Sequence, residues 1–314
     1  MKNKRILVTG ATGFLGAHFV AALNRQGYKK IIPLSKKDYD LMEQEQVRKM
    51  FKEKKPEIVV HLAGYVGGIL VNKSYPADFY YKNLSMESTI IHEASKNKIE
   101  KLMLCICGCA YPEKAKSPIK EESLWEGFPS NEPAPYGIAK RGSVMQSLAY
   151  RKQYGLKTII LVPGNMYGPY DNYNLEAAHV IPALIRKFHE ATIKNKKEVV
   201  VWGSGKPTRD FVYVEDVAGC LVHALENYDD EGIINISTGT ENSIKDLIEI
   251  IAKITKYKGK IVWDKSKPDG PLKKIFDVER MRKTLGYECT TSLEQGLKKT
   301  AEWFEHNYPD GVRL

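Results

Sequence analysis

The sequence predicts an α/β protein with a doubly wound parallel sheet and a smaller C-terminal α/β lobe. Strand and helix signals alternate through the first half of the chain, beginning with an apolar run at residues 6–8 and a helical pattern at 14–27. Parallel strands need a long crossover between them, so this alternation indicates a parallel sheet. After Pro163 further prolines, at positions 169 and 182, interrupt the pattern and indicate a second lobe.

The elements of the first lobe follow from the spacing of apolar residues. Short apolar runs are typical of buried strands, and helical periodicity fills the intervals between them. The predicted strands are residues 6–8, 31–34, 58–62, 101–106 and 158–162, and the predicted helices are residues 14–27, 44–54, 83–97 and 136–154. Residues 111–135 are rich in Pro, Glu and Lys and predict a long surface loop, whose length indicates a function.

The second lobe is assigned mainly to residues 169–314. We expect helices at 180–194 and 244–255, and short strands at 199–202, 233–236 and 260–263. The chain is expected to return to the first lobe near 210–225. The first domain is therefore taken as residues 1–168, with a return segment at 210–240.

Charge and composition limit the classes of function. The net charge is +10, but lysines are scattered among glutamates, as at residues 49–57, which is typical of solvated helix faces rather than a nucleic-acid surface. A basic balance also suits an anionic small molecule such as a nucleotide diphosphate sugar. No apolar run reaches the length of a membrane span and no signal-peptide pattern opens the chain, so we expect a cytoplasmic protein with no membrane partner.

The five cysteines show no disulfide-scaffold spacing, which fits a reducing compartment. Cys105, Cys107 and Cys109 alternate and are expected to share one face of a strand. Such a run lacks the usual zinc spacing, and no second ligand pair accompanies it. We therefore expect no metal site.

A glycine-rich turn at residues 9–16 carries the first chemical signal. It lies between the first predicted strand and the first predicted helix. Gly10 permits the tight turn, Gly13 lets the backbone approach a pyrophosphate, and Gly16 lets the helix lie close to the strand. The diphosphate then rests on free N–H groups at the positive end of the helix, so residues 1–168 are expected to form a Rossmann-type dinucleotide-binding domain. The other members of the turn expected at the cofactor are Thr12, Phe14 and Leu15.

The segment after the second predicted strand indicates which dinucleotide binds. An acidic residue there bonds the ribose 2′-OH of NAD, whereas a basic residue receives the 2′-phosphate of NADP. The chain reads Ser35-Lys36-Lys37-Asp38, so two lysines come before any acid. NADP(H) is therefore the expected cofactor, bound by Ser35, Lys36 and Lys37, and Asp38 is expected to be a turn residue.

Tyr136 and Lys140 form the candidate catalytic pair. A spacing of four places both side chains on one face of the helix predicted at 136–154. A phenol is a poor acid–base group near neutrality, and an adjacent ammonium makes proton transfer workable. The pair therefore predicts an enzyme rather than a passive binding module.

The Gly-x-x-Gly-x-x-Gly spacing with this tyrosine and lysine resembles the extended branch of the short-chain dehydrogenase/reductase superfamily. Further segments look like the GDP-L-fucose synthase family: Val66-Gly-Gly-Ile, Tyr75-Pro-Ala-Asp-Phe, Asn165-Met-Tyr-Gly-Pro, His179-Val-Ile-Pro-Ala-Leu, Val201-Trp-Gly-Ser-Gly, Arg209-Asp-Phe and Ser266-Lys-Pro-Asp-Gly. That family is a homodimeric NADPH enzyme that epimerises GDP-4-keto-6-deoxy-D-mannose at C3 and C5 and then reduces the C4 ketone. The resemblance implies the same substrate class, a GDP-linked 4-keto sugar.

The resemblance also assigns roles to individual residues. It implies that Tyr136 protonates the C4 oxygen as hydride arrives, and that Lys140 lowers the pKa of Tyr136 and holds the ribose. Cys109 and His179 would exchange the C3 and C5 protons. Substrate contacts are expected at Asn165, Lys187, Trp202, Arg209 and Asp277. Further cofactor contacts are expected at Leu62, Ala63, Pro163, Asn165, Met166 and His179.

Three positions depart from the family pattern. Cys107 replaces a serine that bonds the substrate ketone, and a thiol is a weaker donor than a hydroxyl. Gly164 and Tyr170 replace a threonine and a histidine close to the sugar or nicotinamide pocket. We therefore expect C4 reduction to be retained and C3/C5 epimerisation to be slow or absent.

Alternatives stay open. Bacterial relatives of this family reduce GDP-4-keto-heptoses, including 6-deoxy-heptoses, for capsule or surface-polysaccharide synthesis, and leave epimerisation to a separate enzyme. A non-catalytic sensor would bind NADP(H) without turnover. An internal-redox epimerase or dehydratase would hold NAD tightly, and Lys36 and Lys37 argue against it. The resemblance also implies a homodimer built from the helices at 83–97 and 136–154.

Overall fold

The computed structural model describes residues 1–129, 132–267 and 269–314. Parts of the predicted loop at 111–135 and of the segment at 266–270 therefore lie outside the described residues. The helices are α1 Phe14–Arg25, α2 Gln44–Lys54, α3 Ile69–Ser74, α4 Pro76–Lys96, α5 Ala134–Tyr154, α6 Val180–Ile193, α7 Val214–Asn227, α8 Ile244–Ile254 and α9 Leu293–Asn307. The strands are β1 Arg5–Thr9, β2 Lys30–Leu34, β3 Ile58–His61, β4 Lys101–Cys105, β5 Thr158–Pro163, β6 Asn165–Tyr167, β7 Glu198–Trp202, β8 Thr208–Arg209, β9 Phe211–Tyr213, β10 Ile233–Ile236, β11 Asn242–Ser243, β12 Lys260–Asp264 and β13 Lys273–Lys274.

A six-stranded sheet in the order β10-β5-β4-β3-β1-β2 forms the centre of the molecule. Every neighbouring pair in it is parallel. The apolar side chains of β1 supply both faces: Ile6 and Val8 pack with α1 and α7, whereas Leu7 packs with α2 and α4. The predicted doubly wound fold is therefore confirmed, because alternate residues of one strand point to opposite layers of helices.

The first five predicted strands match β1 to β5 within one residue at either end. The helix predicted at 83–97 starts earlier, since α4 begins at Pro76, which fits the first turn of a helix because it has no N–H to satisfy. Residues 233–236, which the sequence places both among the second-lobe strands and within the return segment at 210–240, lie in the return segment. This run is β10, which pairs with β5 at the edge of the central sheet.

The segment predicted as a surface loop at 111–135 is partly a core element. Tyr111, Ile119 and Leu124 are buried and pack with Phe276 in one apolar cluster. The segment also contains a short 3₁₀ helix at Glu121–Trp125. The sequence did not indicate this burial, because the composition is mostly polar and the three apolar residues follow no regular period.

The second lobe packs around Phe188 of α6 and Phe304 of α9, with α8 alongside. Its β7 and β12 form a short parallel pair. Between these elements the chain crosses back to the central sheet, where α7 packs against α1. In the parts of the chain that the structure describes, none of the helices combines the length and apolar character needed to span a membrane.

Candidate active site

The glycine turn lies where the strand order reverses. β1 has β2 on one side and β3 on the other, so the connections after β1 and β2 run in opposite directions and leave a crevice at the carboxyl ends of the strands. Gly10 has φ +67°, and a Cβ there would lie 2.6 Å from the Ala63 nitrogen. A Cβ at Gly16 would overlap the Gly10 carbonyl oxygen. Both positions need glycine, as the spacing predicts.

The start of α1 fits a diphosphate. Gly13 occupies the N-cap and offers no side-chain oxygen to the first turn, which also carries no acidic residue. The positive end of α1 is therefore free to bind an anion. Thr12 is exposed at the turn, and Phe14 and Leu15 form the first residues of the helix.

The turn after β2 presents two lysines beside this crevice. The Asp38 carboxylate accepts hydrogen bonds from the Ser35 backbone N–H and hydroxyl, both at 2.7 Å, which makes it the turn residue that the sequence indicates. The Ala11 N–H bonds the Leu34 carbonyl oxygen at 3.0 Å, so this turn is held against the glycine turn. Lys36 and Lys37 are exposed at its tip and remain available to a phosphate.

The carboxyl ends of β3 and β5 place the other predicted cofactor residues at the same edge of the sheet. Leu62 and Ala63 follow β3, where the Ala63 N–H bonds Thr9 Oγ1 at 3.3 Å. Pro163 ends β5, and Asn165 and Met166 lie in β6. The Asn165 amide donates to the Asp210 carbonyl oxygen at 3.0 Å, which ties this edge to the return segment.

Gly164 has a local structural reason. A Cβ at this position would lie 2.5 Å from the Ser237 hydroxyl oxygen and 3.4 Å from Phe276. A threonine would not fit here without a shift of its neighbours.

Tyr136 and Lys140 lie one turn apart on α5 at the same edge. Tyr136 is only 8% exposed, and its ring packs edge-on against Phe79 of α4 with centroids 5.7 Å apart. The Lys140 nitrogen lies 5.6 Å from the centre of the Tyr136 ring. The structure therefore brings together the pair that the spacing predicts.

The pKa of Tyr136 is raised overall in this structure, although Lys140 lies beside it. Lys140 forms an ion pair with Glu87 of α4 and donates to the Cys105 carbonyl oxygen at 3.3 Å. Burial, followed by the nearby Cys107 and Cys109 and by Glu87, raises the pKa of Tyr136 well above its usual value. The phenol is thus held protonated and is suited to donate a proton to a substrate oxygen.

Cys107 and Cys109 lie next to Tyr136, in and beside the short 3₁₀ helix Gly108–Ala110. The expectation that they share a strand face with Cys105 is wrong, because β4 ends at Cys105. Cys107 lies close to both Tyr136 and Cys109. Cys107 and the nearby Lys274 lower the pKa of Cys109, whereas burial raises the pKa of Cys107. Among the described residues, no group of three or more His, Cys, Asp or Glu side chains could hold a metal ion.

His179 is the N-cap residue of α6, where it is exposed. The Ala177 carbonyl accepts the Gly68 N–H at 2.9 Å, so the start of α6 is held against the loop after β3. Tyr170 has a left-handed backbone (φ +66°) and contacts His18 of α1 and Trp303 of α9. It therefore bridges the first helix and the last.

Three of the predicted substrate residues gather in the second lobe. Lys187 of α6 donates to the Val200 carbonyl at 2.9 Å, and Trp202, which ends β7, is 55% exposed. Arg209 of β8 donates to the Pro271 carbonyl at 2.8 Å. A largely exposed indole with two cations nearby is suited to a nucleotide base and its phosphates.

Lys267 and Asp269 contact Trp202 and the turn that follows it. Lys267 lies 5.5 Å from the centre of the Trp202 ring, and Asp269 accepts hydrogen bonds from the Ser204 N–H and hydroxyl at 2.6 and 2.7 Å. Asp277 is not part of this arrangement. Its carboxylate accepts the Glu279 N–H at 2.8 Å, and the residue lines a separate charged cavity of about 550 Å³.

Glu87 is the residue of the site that sequence reasoning missed. It lies on the buried face of α4 together with Asn83, Ile90, Ile91 and Ala94, which follow helical spacing. A carboxylate at helical spacing from Ile90, Ile91 and Ala94 was the available signal, because glutamate is rarely buried without a partner.

Known proteins resemble the chain over nearly its whole length. The model of the NAD dependent epimerase/dehydratase family matches residues 6–237. A protein named GDP-L-fucose synthase from Sinorhizobium fredii is 43% identical over 312 residues, which cover 99% of this chain and 98% of that one. A GDP-L-fucose synthetase from Naegleria fowleri, solved with NADP bound, has a TM-score of 0.92 and 32% identity, covering 100% of this chain and 96% of that one. A GDP-6-OMe-4-keto-L-xylo-heptose reductase from C. jejuni has a TM-score of 0.91 and 30% identity, covering 98% and 99%.

Proposed function

The chain belongs to the GDP-L-fucose synthase group of the NAD dependent epimerase/dehydratase family, and we propose that it is an NADPH-dependent reductase of the C4 ketone of a GDP-4-keto sugar. The observation that carries the proposal is the position of Tyr136. Its protonated phenol lies at the same edge of the sheet as the glycine turn, so a ketone placed between them would meet a hydride donor and a proton donor together.

Tyr136 and Lys140 have different proposed roles in the reduction. NADPH, when bound, supplies the hydride to C4. Tyr136 gives its hydroxyl proton to the C4 oxygen as the carbonyl π bond breaks. The Lys140 ammonium then stabilises the phenolate that remains, because an opposite charge nearby favours the ionised form.

Recognition of the nucleotide is proposed for the second lobe. Trp202 would stack on the guanine, while Lys187 and Arg209 would neutralise the diphosphate. Asn165 lies in β6 at the sheet edge and would contact the sugar. Asp277 stays a proposed substrate contact, because the Glu279 N–H occupies only one of its carboxylate oxygens.

A dedicated heptose reductase is the second candidate. Cys107 favours it, since a thiol stabilises a developing enolate oxygen less well than a hydroxyl and epimerisation depends on that stabilisation. The structural similarity to a heptose reductase from C. jejuni supports the same reading.

The direct test follows NADPH oxidation by the purified chain with a panel of GDP-4-keto sugars that includes 6-deoxyhexose and heptose members. The same sugars linked to UDP serve as controls for the nucleotide. Oxidation of NADPH with a GDP-linked member supports the proposal. Binding of NADPH without turnover on every member would identify a sensor instead. Tightly held NAD with no net NADPH consumption would identify an internal-redox enzyme.

We also propose that the chain forms a homodimer through α4 and α5, and acts in the cytoplasm. Tyr81 and Phe128 are 63% and 66% exposed, and an apolar hollow beside them is lined by Pro76, Ala77, Tyr80, Ala134, Pro135 and Ile138. An exposed apolar patch of this kind is typical of an interaction site. Sedimentation should show a dimer that dissociates in Tyr81→Glu and persists in Ile193→Glu, where the apolar residue is exposed on α6.

A further inference from the structure

We propose that Glu87 is a positioning residue that holds the Lys140 ammonium at the inner wall of the candidate site and keeps it charged beside Tyr136. This inference rests on the proposed reductase function, because it concerns the same pair. It gives a role to a buried carboxylate that the reaction itself does not use.

The contacts of Glu87 join α4 to α5. One carboxylate oxygen pairs with Lys140, and the other accepts the Ser143 hydroxyl. Glu87 is 2% exposed and Lys140 is 3% exposed. In the described part of the chain, Glu87 is the only carboxylate within ion-pair distance of Lys140. The lysine therefore depends on this one residue for its counter-charge.

A buried ammonium needs such a partner. Burial alone favours the neutral amine, and the structure opposes this through Glu87, so the pKa of Lys140 lies above its usual value. The Cys105 carbonyl oxygen, 3.3 Å from the nitrogen, fixes the direction of the side chain but adds no charge. Without Glu87 the nitrogen would keep only this longer, uncharged contact, and burial would favour the neutral amine.

The other titratable groups around the pair are largely neutral. His61 of β3 has a pKa of about 3, lowered by burial and by Lys140. Cys105 of β4 has a pKa raised to about 12 by burial. Cys107 is also held as a thiol, whereas Cys109, also near Tyr136, has a lowered pKa and ionises more readily. Glu87 therefore supplies the main negative charge facing Lys140.

The first experiment reads the charge state of Lys140 without any turnover. Full-length wild-type and Glu87→Gln proteins are treated with acetic anhydride at about pH 9, below the usual pKa of lysine, and acetylation of Lys140 is measured by mass spectrometry. Loss of the counter-charge should lower the pKa of Lys140 and raise the acetylation rate about tenfold or more. An unchanged rate would overturn the proposal.

Glu93→Gln is the matched control. Glu93 lies on the same helix, is similarly buried and pairs with Arg48 at 3.1 Å, away from the site. The acetylation rate of Lys140 should not change in this variant. An equal rise in both variants would show that general loosening of α4 exposes Lys140, and would also overturn the proposal.

The second experiment uses turnover. Glu87 raises the pKa of both Tyr136 and Lys140, and reduction needs both groups protonated, so the alkaline limb of the kcat/KM profile should move down by about 1 pH unit or more in Glu87→Gln. Glu87→Asp keeps the charge and should leave the limb in place, with a lower kcat because the carboxylate is withdrawn. A limb that stays in place in Glu87→Gln contradicts the proposal.

If Glu87→Gln does not fold, the pH profile and kcat of Glu87→Asp test the proposal instead. A reduced kcat with an unchanged alkaline limb supports the positioning role, whereas wild-type kcat excludes it. If the wild-type chain oxidises no NADPH with any GDP-4-keto sugar, the proposed function fails. The acetylation comparison still decides whether Glu87 holds Lys140 charged, so the two failures are distinguishable.

Discussion

The Tyr136 hydroxyl lies beside Cys107: burial and this thiol raise the pKa of Tyr136, and the same Cys107 lowers the pKa of Cys109. These three side chains come from α5 and from the turn after β4, and they meet at the carboxyl edge of the sheet. The proposed proton donor for C4 therefore shares a neighbour, Cys107, with the proposed base for C3 and C5. Changes at either cysteine should affect reduction and epimerisation differently.

We expect Tyr136→Phe to lower kcat for NADPH oxidation by at least about 10²-fold, the usual contribution of a positioned proton donor. The ring contact with Phe79 is kept, so the dissociation constant of NADPH, measured by fluorescence, should change little. Tyr150→Phe is the control, since Tyr150 also lies on α5 but bonds His92 at 2.8 Å away from the site. Near-normal turnover in Tyr136→Phe would exclude Tyr136 as the donor.

The double variant Lys36→Ala/Lys37→Ala should raise KM for NADPH and leave KM for NADH almost unchanged. Each lost charged hydrogen bond to the 2′-phosphate is worth about 1.5–3 kcal/mol, so the rise should be at least about tenfold. Lys29→Ala/Lys30→Ala removes two exposed lysines at the other end of β2 and should alter neither constant. The assignment fails if the preference for NADPH over NADH survives in the Lys36/Lys37 variant.

The parts of the fold that sequence could predict are those carried by local pattern. β1 to β5 and the glycine turn follow from short-range spacing, and Tyr136 and Lys140 follow from a separation of four on one helix. The sequence left the place of β10 ambiguous, because its pairing with β5 joins segments about 70 residues apart, which no local period reveals.

The charge balance of the site was likewise beyond sequence reasoning. The spacing of Tyr136 and Lys140 predicts that an ammonium lies near a phenol, and it does. It does not predict that Glu87, 53 residues earlier, pairs with that ammonium. The raised pKa of Tyr136 was not predicted either, because it depends first on burial and then on Cys107, Cys109 and Glu87, none of which follows from the spacing.

The cysteines should differ in their rates of alkylation. The pKa of Cys109 is lowered by Cys107 and by Lys274, whereas burial raises the pKa of Cys105 and of Cys289 to about 12. Because the thiolate is the nucleophile, iodoacetamide at neutral pH should alkylate Cys109 first, as measured by peptide mass spectrometry. Lys274→Met should slow this reaction. Faster alkylation of Cys105 or Cys289 would contradict the assigned order.

Asp171 should make stability fall as pH rises. Burial raises its pKa from 3.8 to about 7, so the folded state binds the proton more tightly and is penalised as pH increases through this range. Asp171→Asn keeps an oxygen for the Asn172 N–H and removes the charge. The variant should therefore have a higher Tm than wild type, by a margin that grows from about pH 4 to about pH 8. The corresponding gain in free energy of unfolding should reach up to about 4 kcal/mol.

Asp38→Asn should change stability with the opposite pH dependence. The Ser35 hydrogen bonds lower the pKa of the Asp38 carboxylate, so the stability that it contributes is present above its unfolded pKa and is lost as pH falls. This variant should be less stable than wild type at neutral pH and should approach wild type in acid. Parallel pH trends in the two variants would refute the opposite signs assigned to Asp171 and Asp38.

The last prediction concerns epimerisation, which needs the C4 oxygen stabilised while a proton leaves C3 or C5. Cys107 lies where a serine hydroxyl would do this in the family, and removal of one such donor typically costs about 10²–10³ in rate. A thiol is a weaker donor, so wild-type protein with substrate and NADP⁺ in D₂O should incorporate deuterium slowly or not at all, while NADPH-driven reduction proceeds.

Cys107→Ser should raise deuterium incorporation at C3 and C5 by at least about tenfold and change reduction much less, because Tyr136 still delivers the proton to C4. Cys107→Ser/Cys109→Ala should remove the gain if Cys109 is the base. Rapid incorporation by the wild-type chain, abolished in Cys109→Ala, would instead establish a bifunctional epimerase-reductase, and the thiol at position 107 would then be a sufficient donor.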